Sequence, residues 1–168
     1  FSGQAEAEGA LYGVSVVKLM GRHSGFIAAQ SALASGTVDF VLIPEIDFDL
    51  EGQRGFFASV ERKLRAQRHV LVVVAEGAGQ RYLTRDGSKP EHDRSGNLKL
   101  GDIGHFLKGK LSDYLARQGF PGKIRYIDPS YIIRSAPANA SDHVFCTTLA
   151  QNAVHAAMSG RTELVVSL

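Results

Sequence analysis

The six apolar residues from Val70 to Ala75, VLVVVA, constrain the fold of this chain more than any other stretch. The run is short enough to be one strand, and it has no polar side chain to face water, so other elements must cover both of its faces. Central strands of parallel sheets have this composition because helices pack on both sides of such sheets. The run therefore indicates an α/β protein with a buried parallel sheet.

Strand-like and helix-like segments alternate along the rest of the chain, which predicts a mostly parallel, Rossmann-like sheet with helices on both faces. In residues 54–67, for instance, apolar side chains recur at helical spacing opposite a charged face. The predicted strands are 14–20, 40–43, 70–75, 123–128 and 163–167, and the predicted helices are 24–33, 54–67, 103–115 and 140–158. Residues 77–101 are polar and glycine-rich, which predicts a long loop.

The composition predicts one globular domain and argues against several classes of partner. A chain of 168 residues with 44% hydrophobic content can bury a core. The 19 basic and 17 acidic residues leave a net charge of +2 without a basic run, which argues against nucleic acid. No segment reaches the roughly 18 apolar residues of a membrane span, and Cys146, the single cysteine, has no partner for an internal disulfide. These features predict a cytoplasmic protein.

Both ends of the chain have the sequence of interior segments. The first residues, FSGQ, include no initiating Met, and no signal peptide follows them. The last residues, VVSL, form an apolar, strand-like stretch without a polar tail. We therefore expect the 168 residues to be a piece of a larger polypeptide.

Three polar clusters follow predicted strands, where open parallel sheets bind their ligands. The first is the tripeptide MGR at 20–22, which continues into HSG at the start of a helix. Its glycine allows the backbone to approach a ligand, the helix start offers unpaired N–H groups, and Arg22 carries a charge suited to phosphate. Taken alone, the cluster is more typical of an ordinary turn between a strand and a helix.

The second and third clusters carry a carboxylate and a pair of arginines. Glu76 directly follows VLVVVA and could accept hydrogen bonds from sugar hydroxyls, although a solvated residue also commonly ends a strand. In RYIDPSYIIR, Arg125 and Arg134 bracket a turn, an arrangement suited to a phosphate held from two sides. Two unrelated surface arginines would give the same pattern.

Other residues of catalytic or metal-binding type lack the spacing that such functions need. The six histidines show no metal-ligand spacing, and Ser24 stands outside any G-x-S-x-G motif. Cys146 lies among apolar residues of a predicted helix, which predicts a buried, inert thiol. The segment GAGQRY at 77–82 fails the dinucleotide fingerprint because Tyr82 stands where the last glycine is needed. We therefore predict neither covalent catalysis nor metal binding by these side chains.

Five segments, taken together and in their order, resemble the phosphofructokinases, in particular the longer plant-like and pyrophosphate-related branch. They are VVKLMGRHSGFIAAQSALASG, VDFVLIPE, VLVVVAEGAGQ, KIRYIDPSYIIRSAPANASD and LAQNAVHAAMSGRT. The resemblance covers most of residues 10–165 and leaves mainly the loop 81–101 unmatched. It implies that the fold is the second domain of a phosphofructokinase.

The resemblance also implies an activity, a substrate and partners. The activity is glycolytic transfer of a phosphoryl group from ATP or pyrophosphate, with Mg²⁺, to the 1-hydroxyl of D-fructose 6-phosphate, giving fructose 1,6-bisphosphate. Contacts between subunits in this family imply a homo-oligomer, a dimer or a tetramer, for the parent protein.

Site residues are implied by the positions that match the family. Met20, Gly21 and Arg22 match the substrate-binding MGR motif, whose backbone and arginine approach the sugar and the reacting phosphoryl group. The resemblance therefore implies a catalytic as well as a binding role for Arg22. Glu76 matches the carboxylate that holds the fructose hydroxyls.

Three further positions match ligands of the sugar phosphate. Arg134 matches an arginine on the 6-phosphate, and Tyr131 stands where short bacterial ATP-dependent enzymes have a histidine ligand. Arg125 matches an arginine that reaches the 6-phosphate of a neighbouring subunit in the bacterial tetramer. Another intersubunit arginine of that tetramer is replaced by Gly13, which implies a weaker or different contact between subunits.

The family's donor motif, of the GGDGT or GGDDT type, and its TIDND catalytic-base motif are absent. Both precede MGR in family members, and only 19 residues precede Met20. Residues 1–168 are therefore predicted to be one fructose 6-phosphate-binding domain of a larger two-domain kinase, whose absent N-terminal half binds most of the Mg²⁺ and ATP or pyrophosphate. The chain alone should be inactive, because phosphoryl transfer needs donor, metal, acceptor and base together.

The central expectation is that the MGR turn, Glu76, Arg125 and Arg134 converge on a single pocket. Two alternatives stay open. One is a non-catalytic, sugar-phosphate-binding regulatory or sensor domain that naturally lacks a donor site. The other is a generic α/β nucleotide-binding domain in which the arginines are incidental.

Overall fold

A computed structural model of the chain describes residues 2–83, 92, 96 and 98–167, and of residues 130 and 131 it describes the backbone only. The chain forms two compact units, residues 1–130 and residues 131–168. That all 168 residues make up one domain stays a prediction.

The first unit is built on a four-stranded sheet in which all neighbouring strands are parallel. Its strands are β1 (Gly13–Leu19), β2 (Phe40–Leu42), β3 (His69–Ala75) and β4 (Ile124–Ile127), in the order β2-β3-β1-β4. The VLVVVA run forms most of β3, which has a neighbour on each side and is buried from Val70 onward. The predicted α/β class and the parallel sheet with a central apolar strand are confirmed.

Helices cover both faces of this sheet, as predicted. Those of the first unit are α1 (Ser2–Glu8), α2 (Phe26–Ser35), α3 (Phe56–Gln67) and α4 (Ile103–Arg117). Val70, Val72 and Val74 of β3 pack with buried residues of α3 and α4. Because successive strand residues face opposite sides, Val73 and Ala75 point to the other face, where they cluster with α2.

Local sequence explains how these helices begin, end and pack. The buried side chains of α3 are the apolar ones at helical spacing, Phe56, Phe57, Val60 and Leu64. Gly36 ends α2 in the left-handed conformation, at φ 67°, and its N–H donates to the Ala32 carbonyl oxygen. The sequence pattern did not predict α1. This helix lies close to the sheet at Gly3, where a Cβ would stand 2.8 Å from Val17 Cγ2.

The second unit contains α6 (Ala140–Met158) and the residues of α5 (Ser130–Arg134) from 131 onward. Asn139 caps α6 by accepting a hydrogen bond from the Asp142 N–H at 2.8 Å. None of the 19 residues of α6 is buried. The prediction that Cys146 is a buried thiol is therefore wrong: the helix around it stays open to solvent, and the thiol is exposed.

The structure tests two predictions about the remaining segments. The strand predicted at 163–167 is wrong: these residues form no strand, and Glu163 has φ 55°. Apolar residues such as Val165 and Val166 favour a strand only where a neighbouring strand accepts their backbone hydrogen bonds.

The loop predicted at 77–101 contains a short 3₁₀ helix, Gln80–Tyr82, and part of this loop lies outside the described residues. In the described part of the chain, no helix has the length and apolar content to cross a bilayer.

Candidate functional site

The MGR turn lies at the carboxyl edge of the sheet, between β1 and α2. Met20 follows the last residue of β1, and α2 begins at Phe26. Gly21 has φ 142°, a conformation that side chains disfavour, and a Cβ there would lie 2.4 Å from the Ser24 carbonyl oxygen. The turn therefore requires glycine at position 21, because a side chain there would collide with the Ser24 carbonyl oxygen.

Glu76 lies beside this turn because the pairing of β1 and β3 continues past the ends of both strands. The Glu76 N–H donates to the Leu19 carbonyl oxygen at 2.9 Å, and the Gly77 N–H donates to the Gly21 carbonyl oxygen at 2.9 Å. The Gly21 N–H in turn donates to Glu76 Oε1 at 3.4 Å, a long hydrogen bond. The structure thus brings together two of the predicted site elements, the turn and the carboxylate.

Gly77 makes this approach possible. A Cβ at position 77 would lie 1.8 Å from the Arg22 carbonyl oxygen, far inside contact distance. In the sequence this glycine belonged to a dinucleotide motif that fails at Tyr82. Its role in the structure is a different one: it lets the end of β3 touch the MGR turn.

The guanidinium of Arg22 contacts the far end of the long loop, where its Nη2 donates to the Leu98 carbonyl oxygen. The amide of Gln80 holds the same segment: its Nε2 donates to the Gly101 carbonyl oxygen at 3.1 Å, and its Oε1 accepts from the Gly101 N–H at 3.0 Å. Gln80 Nε2 also donates to the Glu76 carbonyl oxygen at 2.7 Å. Residues 98–101 are therefore anchored beside both Arg22 and Glu76.

Glu45 closes the other end of the turn. Both of its carboxylate oxygens accept the Gly25 N–H, at 2.8 and 3.0 Å, where α2 begins. This backbone hydrogen bond, with smaller contributions that include Ser24, lowers the pKa of Glu45 below its ordinary value. Unpaired N–H groups were expected at this helix start. At Gly25 that expectation is wrong, because a carboxylate of the chain already accepts the N–H.

Lys18, two residues before MGR, links β1 to β4 and α4. Its Nζ lies 2.8 Å from Asp128 Oδ2 and 3.6 Å from Asp102 Oδ1. Asp102 also accepts the Tyr126 hydroxyl at 2.8 Å and the His105 N–H at 3.1 Å, the second of which caps α4. The Lys18 side chain is only 16% exposed, and these two carboxylates compensate for the burial of its charge.

Lys18, Tyr126 and Asp102 shift one another's pKa values through hydrogen bonds. Burial disfavours the charged form of Lys18, but the hydrogen bonds with Asp128 and Tyr126 outweigh it and raise the pKa of Lys18 above its ordinary value. Burial, followed by the hydrogen bond to Asp102, raises the pKa of Tyr126 to about 12. Burial works against ionisation of Asp102, yet the hydrogen bonds from His105 and Tyr126 lower its pKa. At neutral pH the cluster therefore contains an ammonium, a neutral phenol and an ionised Asp102.

Arg125 lies away from the MGR turn within this chain. It pairs with Ser15 on β1, five residues before Met20, which corresponds to roughly 16 Å along a strand. Its Nε lies 3.2 Å from Glu6 Oε2 of α1. The register of β4 thus separates Arg125 from the turn, which differs from the single pocket that the sequence led us to expect. Its match to a residue acting on a neighbouring subunit stays a prediction.

Tyr131 and Arg134 belong to α5 in the second unit, and Arg134 is the last residue of that helix. That they converge with the MGR turn and Glu76 on one phosphate site stays a prediction.

Sequence reasoning missed four residues around the turn, and only two of them had a signal that could have been used. Asp102 directly precedes the apolar helical stripe that starts at Ile103, which is the usual position of an N-cap. Lys18 is the one charged residue in the strand VSVVKLM, so its charge needed a partner. Nothing in the local sequence shows that Glu45 meets Gly25 or that Tyr126 meets Asp102.

The described residues contain no group of three or more His, Cys, Asp or Glu side chains placed to hold a metal ion. They therefore offer no fit for the Mg²⁺ that the resemblance implies for the parent protein.

A parallel α/β sheet with a glycine turn, an arginine and a carboxylate at its carboxyl edge defines the class of proteins that bind their ligands beyond the strand ends. Comparison with known proteins narrows this class. The profile of the Phosphofructokinase family matches residues 4–157. The chain belongs to the phosphofructokinase family.

Two curated relatives show how similar the chain is to complete enzymes. It is 53% identical over 166 residues to an ATP-dependent 6-phosphofructokinase of Amycolatopsis methanolica, covering 96% of this chain and 36% of that protein. It is 49% identical over 169 residues to an ATP-dependent 6-phosphofructokinase of Borreliella burgdorferi, covering 97% of this chain and 37% of that protein. The chain thus spans little more than a third of the length of these relatives.

Solved structures agree on the fold. A phosphofructokinase from Saccharomyces cerevisiae aligns with a TM-score of 0.59 at 23% identity, covering 97% of this chain and 19% of that chain. A pyrophosphate-dependent phosphofructokinase from Marinobacter aquaeolei has the same TM-score and identity, covering 95% of this chain and 35% of that chain. At this identity, the likeness shows the phosphofructokinase fold.

Proposed function

We propose that the protein to which this chain belongs is a 6-phosphofructokinase and that residues 1–168 supply its fructose 6-phosphate site. One observation carries the proposal: the MGR turn and the Glu76 carboxylate, 55 residues apart, meet at the carboxyl edge of the sheet. Membership of the family and two relatives named 6-phosphofructokinase at about half identity support it.

Each part of the turn has a role in this proposal. Glu76 accepts hydrogen bonds from fructose hydroxyls, because an ionised carboxylate offers only acceptors. Arg22 exchanges the Leu98 carbonyl oxygen for the phosphoryl group that moves onto the 1-hydroxyl, and its charge stabilises the negative charge of the transition state. In this proposal the backbone at Gly21 lies against the sugar, because its N–H faces the Glu76 carboxylate that binds the hydroxyls.

The 6-phosphate is bound in this proposal by Tyr131 and Arg134 of one chain and by Arg125 of a neighbouring chain. Arg125 and its partner Glu6 are 48% and 51% exposed, and exposed ion pairs contribute little free energy. The Arg125 guanidinium can therefore leave Glu6 for a phosphate. A homo-oligomer, either a dimer or a tetramer, is then part of the functional unit.

We propose ATP as the donor, because the two relatives near half identity are named ATP-dependent, whereas the pyrophosphate-dependent enzyme is 23% identical. ATP, Mg²⁺ and the proton acceptor are assigned to the part of the enzyme outside these 168 residues, so the chain alone is inactive. The free, exposed thiol of Cys146 is compatible with a reducing compartment, and we propose the cytoplasm.

The test uses the full-length protein with fructose 6-phosphate and either ATP or pyrophosphate. We expect turnover with ATP and a fall in kcat/KM of about 10- to 100-fold in Glu76→Gln, the size expected for a hydrogen bond to a charged group. Glu51→Gln, an exposed carboxylate of the segment after β2, is the control and should change little. Binding of fructose 6-phosphate without turnover would favour the sensor alternative. Turnover by the 168-residue chain alone would contradict the proposal that the donor site and the proton acceptor lie outside these residues.

A further inference from the structure

The turn that runs from Met20 to Gly25 is held at both ends by carboxylates that follow two other strands. At its start the Gly21 N–H faces Glu76 Oε1 at 3.4 Å, and at its end the Gly25 N–H donates to both oxygens of Glu45, at 2.8 and 3.0 Å. The proposed function uses Glu76 for the sugar and gives Glu45 no role. The shorter and therefore tighter of the two contacts is the one that remains unexplained.

The contact at Gly25 is built into the packing of the site. A Cβ at Gly25 would lie 2.3 Å from the Cβ of Ile43, so glycine is required for the residues after β2 to reach the start of α2. A backbone N–H donated to a carboxylate is a charge-assisted hydrogen bond, and the negative charge of Glu45 also interacts favourably with the dipole of α2. These forces fix the end of the turn relative to β2.

We propose that Glu45 is a positioning residue of the sugar-phosphate site, which sets the place of Arg22 by fixing the end of its turn at Gly25. This inference rests on the proposed function of the same turn. Only two residues separate Arg22 from Gly25, so a displacement of the helix start would move the arginine backbone directly.

The same contact determines which groups can bind the phosphate. An ionised carboxylate at the start of α2 repels a second anion there, because like charges a few ångströms apart interact unfavourably. In the proposed site the phosphate of the substrate is therefore held by Tyr131, Arg134 and Arg125 and not by the start of α2.

The experiment is a double-mutant cycle in the full-length enzyme with fructose 6-phosphate. Glu45→Ala should lower kcat/KM about tenfold in the wild-type background, the size of one lost charged hydrogen bond. In an Arg22→Ala background the same change should cost less than about twofold, because the residue that Glu45 positions is gone. Glu45→Gln should lie between wild type and Glu45→Ala, since its amide oxygen still accepts the Gly25 N–H. Glu51→Ala, an exposed carboxylate of the same segment, is the matched control and should match wild type.

A purely structural role would give a different pattern. Equal losses in both Arg22 backgrounds, or a Glu45→Ala enzyme within twofold of wild type, would overturn the inference. If Glu45→Ala does not fold, the cycle is run with Glu45→Gln, for which we expect a loss of about threefold that disappears in Arg22→Ala. An inactive wild-type enzyme would instead count against the proposed function.

A second measurement tests the hydrogen bond independently of activity. In the 168-residue chain, the amide proton resonance of Gly25 should move upfield in Glu45→Gln, because the charged acceptor is lost. Added inorganic phosphate should leave this resonance unchanged in wild type, since the N–H is already bonded. A Gly25 resonance that is the same in both proteins, or one that phosphate shifts, would contradict the inference.

Discussion

The two units of this chain differ in how they bury apolar side chains. In the first unit β3 is buried from Val70 onward, and its valines pack against helices on both faces. In the second unit none of the 19 residues of α6 is buried. The large apolar side chains Val144, Phe145, Val154 and Met158 of this helix are between 46% and 82% exposed.

This difference separates a region with its own core from a helix that lacks one. The apolar residues of α6 lie on several sides of the helix, a composition typical of helices covered on more than one side. The relatives are more than twice as long as this chain, and we expect α6 to be covered by another part of the full-length protein. The first unit should therefore dominate the stability of the chain studied alone.

The largest effect is expected from Gly77→Ala, which tests the close approach on which the site of the first unit depends. A Cβ 1.8 Å from the Arg22 carbonyl oxygen forces the turn away from β3, so the free energy of unfolding should fall by about 3 kcal/mol. Urea denaturation of the chain measures this value. Gly109→Ala in α4, where a Cβ meets nothing within 4 Å, is the control and should stabilise by up to about 1 kcal/mol. A Gly77→Ala chain as stable as wild type would contradict the contact.

A matched pair of valine truncations compares the two units directly. Val72→Ala removes two methyl groups from a fully buried position of β3 and should cost about 2–3 kcal/mol. Val154→Ala removes the same groups from a position on α6 that is 61% exposed and should stay within about 0.5 kcal/mol.

The same pair also tests the expected cover of α6. In the full-length protein Val154→Ala should lower the free energy of unfolding, and the difference in cost between Val154→Ala and Val72→Ala should then disappear. If its cost in the full-length protein stays small, α6 is not covered there at this position.

A smaller effect is expected from Tyr126→Phe, which removes the hydroxyl group that donates to Asp102. The loss of this hydrogen bond to a charged acceptor should cost about 1–2 kcal/mol at neutral pH. The pKa of Tyr126 is raised from 10.0 to about 12, so the folded state favours the neutral phenol. The stabilisation that Tyr126 provides is therefore complete below pH 10 and is lost as the pH rises through about 12.

The pH dependence can be isolated by subtraction. The difference in unfolding free energy between wild type and Tyr126→Phe reports the part of the pH dependence that needs the Tyr126 hydroxyl, including its effect on the pKa of its neighbour Lys18. This difference should shrink between pH 10 and about 12. A difference that stays constant over this range would contradict the assignment.

The smallest effect is expected at Ser15 in the middle of β1. Its side chain is fully buried, and its hydroxyl finds no hydrogen-bond partner among the described residues. Ser15→Ala removes this unsatisfied group and should raise the free energy of unfolding by up to about 1 kcal/mol. Ser59→Ala is a control of opposite sign, because that hydroxyl donates to the Gly55 carbonyl oxygen at 3.0 Å and accepts from Arg62 at 2.9 Å. A destabilised Ser15→Ala chain would indicate that the hydroxyl has a partner in solution.

Much of the first unit could be predicted from sequence because its segments carry strong local signals. The buried face of α3 and the end of α2 at Gly36 follow from apolar spacing and from the freedom of glycine. The strand predicted at 163–167 failed because apolar content measures the tendency to be buried, whereas a strand also needs a partner. The prediction that Cys146 is buried failed for a related reason, because the residues of α6 do not specify which other element covers the helix.

By itself, the sequence determined the alternation of strands and helices, the central position of VLVVVA and the place of the MGR turn after β1. These features depend on side-chain periodicity and glycine, which act over a few residues. Only the tertiary structure decided which groups meet the turn: Glu45, Glu76 and the Leu98 carbonyl oxygen, at separations of 20, 55 and 76 residues from their partners. Such contacts depend on strand order and register, and no local pattern encodes them.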